Sequence, residues 1–161
     1  FISTNQSCLD QYGSMYRWAD EGQEKFAIWE KLNIQHYAPG EGYPRWHYEM
    51  SGHDVNVQRH LVFMTFLNTV TDEGHTEFWY QKIRKSPIKG LTLIWPAAWT
   101  HTHHGIPSMT EDKYIITGWW NFLKEEQYGK QPNPNLESLP VENKNKKVWY
   151  WKDEPKNHAE R

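Results

Sequence analysis

A chain of 161 residues is long enough for one domain with a buried core and too short for a second full one. Eighteen basic against 20 acidic residues leave a formal net charge of −2, which offers no cationic footprint to nucleic acid or to an anionic membrane. The single cysteine, Cys8, excludes an internal disulfide framework and a thiolate-rich zinc site, so any metal falls to histidine and carboxylate ligands. Cys8 itself reads as a small buried hydrophobe. The hydrophobic fraction is 37%, but ten Trp and nine Tyr supply large buried areas, and the composition is globular. No apolar run reaches the roughly 18 residues of a membrane span, so the expectation is a soluble, cytoplasmic protein. The chain opens at Phe1 with neither Met nor a signal-peptide pattern, which is compatible with a piece of something longer.

In chain order, residues 14–31 carry Met15, Trp18, Phe26 and Trp29 at spacings compatible with one apolar helical stripe, interrupted by Gly22, and predict one or two helices. From Asn33 the texture changes to short runs rich in β-branched and aromatic residues: NIQHYAPGEGYPRWHYEM, RHLVFMTFLNTV, HTEFWYQ, LTLIWP and KYIITGWWNF. Turn chemistry divides them at residues 38–42, 72–74 and 86–90. Five or more strands after a helical start predict a mainly β (α+β) domain, a sandwich or jelly roll with flanking N-terminal helix or helices. Residues 124–147 are polar, with Pro132, Pro134, Pro140 and an NKNKK run, and read as an extension. The aromatic stretch 148–151 is expected to tie it back, giving one domain over 1–123 and a tail over 124–161.

Nine histidines invite a test of spacing. On a strand, residues two apart share a face, so His47 and Glu49 project side by side while Trp46 and Tyr48 point away. An isolated H-x-E is far more often a solvated strand face or a structural His–carboxylate pair than a metal site. A second cluster, THTHHGIP, places His101 and His103 on one strand face and His104 on the other. One of these three completes a two-His-one-carboxylate facial triad, the open-sided arrangement that suits Fe(II). Lys113 stands ten residues beyond His103 at the start of an apolar strand. A lysine in an apolar pocket is costly unless it meets an anion, whereas a surface lysine at a strand end needs no explanation.

The segments HYAPGEGYPRWHYE, RHLVFMTFLNTVTDEGHTEF, KGLTLIWPAAWTHTHHGIP and DKYIITGW, in that order, resemble the prolyl 4-hydroxylase-like branch of the Fe(II)/2-oxoglutarate dioxygenases, in particular its small viral and marine bacterial members. The likeness runs from about Leu32 to Phe122. It implies a double-stranded β-helix core over about 32–123, with His47, Glu49 and, through the H-x-G-x-P-like stretch from His103 to Pro107, His103 as the metal ligands. It also implies that Lys113 binds the far carboxylate of 2-oxoglutarate, and that Tyr37, in Tyr37-Ala38-Pro39-Gly40, and Thr76 line the cosubstrate pocket. The cofactors implied are Fe(II), 2-oxoglutarate and O2, with ascorbate, and the reaction is hydroxylation of an unactivated C–H with release of succinate and CO2.

The sequence departs from the family in having Glu49 where Asp is commoner, and Gly74-His75 where the family has a Gly pair. A prolyl residue in a peptide or protein is the acceptor the likeness suggests, with a small molecule as the alternative. Fold and cosubstrate site do not fix the acceptor. Trp46, Tyr48, Trp79, Trp95, Trp99 and Trp119 supply rings that could stack on it, most of them expected in the core. Two rival readings are a catalytically silent jelly-roll module that binds peptide or carbohydrate, and a cupin-type metalloenzyme using the His101-x-His103 pair without 2-oxoglutarate. The oligomeric state is not legible.

Overall fold

In the computed structural model, which describes residues 2–20, 24–128 and 148–149, the chain begins with α1 (Ile2–Met15) and the short α2 (Arg17–Asp20). The strands that follow are β1 (Phe26–Ile28), β2 (Asn33–Tyr37), β3 (Tyr43–His47), β4 (Arg59–Phe66) and β5 (Thr76–Phe78), then β6 (Ile83–Lys85), β7 (Thr92–Pro96), β8 (His103–Gly105), β9 (Lys113–Phe122) and β10 (Val148–Trp149). They form two sheets. The larger runs β1-β9-β4-β7-β10, with β2 also on β9, and the smaller runs β3-β8-β5-β6. This is the mainly β, jelly-roll architecture expected from the alternation of short strands and turns.

β4 explains why the layers hold together. It has no Gly or Pro, it pairs with both β7 and β9, and its six residues from Leu61 to Phe66 are all buried. Alternation sends Val62, Met64 and Phe66 into the space between the sheets, where Leu93, Trp95, Ile115 and Trp119 join them. Leu61 and Phe63 point the other way, into a second core closed by Cys8, Leu9 and Tyr12 of α1. A strand buried on both faces reads as a continuous apolar run, and RHLVFMTF does. Gly118 lies where β9 passes Phe63. A Cβ there meets Phe63 Cζ at 2.5 Å and Leu32 Cδ2 at 2.8 Å, so no larger residue fits without displacement.

The helical stripe expected over residues 14–31 is not what forms. The main helix is Ile2–Met15, Trp18 is 80% exposed, and Phe26–Ile28 is a strand pairing with Trp120–Phe122. The buried stripe of α1 is Asn5, Cys8, Leu9 and Tyr12, a helical i, i+3, i+4, i+7 series. An Asn at its first position and only three apolar residues hide it in the sequence. The strand pairing of β1 with β9 outweighs the local helical pattern, as tertiary context commonly does.

His101 is likewise not on a strand with His103. It closes a 3-10 turn over Trp99–His101, and β8 begins at His103. The polar segment is described only to Tyr128, so Pro132, Pro134, Pro140, the NKNKK run, Tyr150 and Trp151 lie outside the described residues. Val148 and Trp149 pair in parallel with Thr92 and Leu93. Among the described residues no helix is long and apolar enough to cross a membrane.

Candidate active site

Between the sheets lies a cavity of about 290 Å³ whose wall includes Tyr37, His47, Glu49, Thr76, His103 and Lys113. All six residues singled out in the sequence therefore meet in one place. The turns and strands set them there by register. His47 ends β3 and stands directly across from His103 on β8, their rings 4.3 Å apart. Glu49 lies two residues beyond His47, past the strand's end, with its backbone N–H donating to Ala97 O at 3.1 Å.

Glu49 Oε1 is 3.3 Å from His47 Nε2 and 3.6 Å from His103 Nε2. The Nδ1 atom of His47 is 2.9 Å from the Arg45 carbonyl, and that of His103 is 2.9 Å from the His101 carbonyl. A carbonyl only accepts, so each Nδ1 donates outward and each Nε2 is turned inward toward Glu49, where it can donate to the carboxylate when it carries a proton or offer a lone pair to a metal when it does not. Three donor atoms thus converge within 4.8 Å of one another. A cation between them resolves that convergence, and the donor set suits Fe(II). Burial alone raises the Glu49 carboxyl's pKa, but hydrogen bonds with His103 and His47 outweigh it and hold the group well below the usual carboxylate range.

Lys113 is 4% exposed. Its ammonium donates to Gly74 O at 3.1 Å and lies 5.1 Å from the Tyr37 ring centre, and no carboxylate pairs with it among the described residues. Burial pushes its pKa down to about 8. An uncompensated buried ammonium in the cavity wall fits the far carboxylate of a dicarboxylic acid. Tyr37 donates its hydroxyl to Gln35 Oε1 at 2.6 Å, and burial, with Tyr43 nearby, pushes its pKa up. Thr76 is buried on β5 across from Gly105 and Lys85.

His104 points away from the cavity, stacked on Trp46 at 3.8 Å with Nε2 3.2 Å from Glu77. Of the aromatic residues singled out in the sequence, Trp95 and Trp119 line the cavity, whereas Trp46, Tyr48, Trp79 and Trp99 are exposed rather than core. Sequence reasoning missed Arg59, Glu30 and Gln35. Arg59 Nη1 donates to Glu49 Oε2 at 3.1 Å while its other edge grips Glu30. Glu30 and Arg59 are 29 positions apart, and no spacing rule joins them.

The chain belongs to the 2OG-Fe(II) oxygenase superfamily, whose family model matches residues 32–121. It is a 2-oxoglutarate-dependent dioxygenase, with Fe(II), 2-oxoglutarate and O2 as its cofactor and cosubstrates, and this sets aside the silent-module and cupin readings. Among solved structures it is similar to a viral collagen prolyl hydroxylase from Paramecium Bursaria Chlorella virus-1, in complex with 2OG, at 22% identity over 76% of this chain and 73% of that one, with a TM-score of 0.61. A Trichoplax adhaerens prolyl hydroxylase, in complex with a hypoxia inducible factor peptide fragment, is similar at 19% identity over 81% and 60% of the two chains, with a TM-score of 0.57. A Pseudomonas putida prolyl-4-hydroxylase is similar at 20% identity over 71% and 63%, with a TM-score of 0.50. These likenesses establish the fold. A comparison with curated proteins gives no match.

Proposed function

We propose that His47, Glu49 and His103 hold Fe(II), that Lys113 binds the far carboxylate of 2-oxoglutarate with Tyr37 and Thr76 lining its pocket, and that the enzyme hydroxylates a prolyl residue in a peptide or protein. The observation that carries the site is the convergence of two Nε2 atoms and one carboxylate oxygen within 4.8 Å, in the same cavity as a buried ammonium. When bound, iron and 2-oxoglutarate supply the activation of O2, with succinate and CO2 released as a C–H bond becomes C–OH. The chain's own residues do the rest. The two imidazoles and Glu49 would hold the metal through three donor atoms from the protein. Lys113 neutralises and orients the oxoacid, and the apolar walls from Met64, Trp95 and Ile115 exclude water.

The prolyl reading draws support from the fold shared with three prolyl hydroxylases. Tyr43 adds to it: its ring is half-exposed, lines the cavity and meets the His47 ring edge-on at 4.4 Å, where it can flank a bound peptide. Residues 1–123 are taken as the oxygenase unit and 124–161 as an extension of it. The test is anaerobic titration of the Fe(II)-loaded protein with 2-oxoglutarate, followed by succinate release with proline-containing peptides. A saturable visible charge-transfer band that His103→Ala removes is the expected result. Iron binding without the band overturns the cosubstrate site, and succinate release indifferent to replacing proline by alanine in the peptides overturns the prolyl reading.

A further inference from the structure

Resting on the ligand set proposed above, we propose that Arg59 is a positioning residue for the metal's carboxylate: braced by Glu30, it engages Oε2 of Glu49 so that Oε1 alone is presented to the metal. The two oxygens of Glu49 have different surroundings. Oε1 faces His47 and His103. Oε2 accepts from Arg59 Nη1 at 3.1 Å and from Trp119 Nε1 at 3.2 Å. Glutamate has one more rotatable bond than aspartate, and left alone its carboxylate can turn to offer either oxygen or both. Two donors on one oxygen remove that freedom. The same Nη1 is 3.2 Å from the Glu49 backbone carbonyl, so Arg59 holds the residue at both ends.

Arg59 is itself fixed. Its Nε and Nη2 donate to the two oxygens of Glu30 at 2.8 and 2.6 Å, a fork geometry that lysine cannot reproduce. Its guanidinium lies 3.6 Å over the Trp119 ring, and Asn121 Nδ2 donates to Glu30 Oε1 at 2.8 Å. Charge balance gives Glu30 a second purpose. With Glu30 in place, Glu30, Arg59 and Glu49 sum to one negative charge, so the ligand's charge is not cancelled by the arginine that orients it. The side chains of all three are 12–16% exposed, where such interactions are little screened. Partners of this kind around a ligand tune both its direction and its basicity.

The test is Co(II) titration of the full chain, read by the visible absorption of the bound ion. Arg59→Met is expected to weaken Co(II) binding about 10–100-fold, the usual cost of losing a ligand's hydrogen-bonding partner. The cobalt spectrum should change as well, as the freed carboxylate alters its coordination. Trp119→Phe keeps the ring under Arg59 and is expected to show a smaller loss of the same kind. Glu30→Gln removes the countercharge and is expected to weaken binding too. If Glu49→Ala and His103→Ala leave Co(II) affinity unchanged, the ligand set is wrong and this proposal falls with it. If those two abolish binding while Arg59→Met and Glu30→Gln bind and absorb like the parent, even at lower thermal stability, the ligand set stands and Arg59 is merely structural. Should Arg59→Met not fold, Trp119→Phe and Glu30→Gln decide the matter by the same criterion.

Discussion

Lys113 ties one side chain to a measurable pH dependence. Its pKa is lowered to about 8 by burial, against 10.5 for an unhindered lysine. Between those values the unfolded chain holds more protons than the folded one, so folding stability rises with pH across that window, and the cost of burying the charge is fully present below about 8. With Lys113 in its proposed role, cosubstrate binding is expected to run the opposite way, because the dicarboxylate would need the ammonium. The affinity for 2-oxoglutarate, measured on the Fe(II)-loaded protein, is expected to be flat below pH 8 and to weaken by up to about tenfold per pH unit above it. Lys113→Met should weaken 2-oxoglutarate far more than iron and abolish that slope. Among the histidines, His103→Ala is expected to abolish tight Fe(II) binding, whereas His104→Ala and His101→Ala leave it. His104 lies on the outer face against Trp46, and His101 serves His103 through its backbone carbonyl, which alanine retains. Equilibrium binding of the four proteins distinguishes these outcomes. The H-x-E pair and Lys113 could be picked out by local spacing, whereas the choice of His103 over His101 and His104, and that of Tyr37, came from the family resemblance. Arg59 and Glu30 could not be picked out, because their meeting depends on which strands lie side by side.

At the scale of elements, strand pairing decides more than local periodicity. The apolar residues of 14–31 suggested a helix, yet Phe26–Ile28 completes the edge of β9 because the sheet offers backbone partners and an apolar face together. Where the local pattern and the sheet agree, as in β4 and β9, the elements were readable. The crossing at Gly118 supplies a test of how tightly these strands pack. Gly118→Ala puts a methyl 2.5 Å from the fully buried Phe63 ring and is expected to destabilise the fold by about 1–3 kcal/mol. Urea denaturation measures this as a lower midpoint with unchanged slope. The proposed metal ligands lie on the other face of that sheet, so iron affinity of the folded variant should be close to that of the parent.

At the scale of the whole molecule, two cores share one sheet. The inner core, between the sheets, carries the cavity. The outer core exists only because α1 covers Leu61, Phe63, Ile94 and Trp120. Leu9, buried in that cover, is expected to cost about 2–5 kcal/mol when cut to alanine, the range for a large-to-small change in a core. Deleting residues 1–20 uncovers Leu61, Phe63, Ile94 and Trp120, and dye binding to apolar surface should rise. By itself the sequence determined the β-rich class, the strand-bearing segments and, through the family resemblance, six of the residues that face the cavity, because alternation, turn residues and short motifs act over a few positions. Only the tertiary structure decided that α1 is the helix that closes the outer core and that His47 stands opposite His103. It alone decided that Glu30 and Arg59 reach Glu49, since register and layer order bring together residues tens of positions apart. Local spacing carries no record of such meetings.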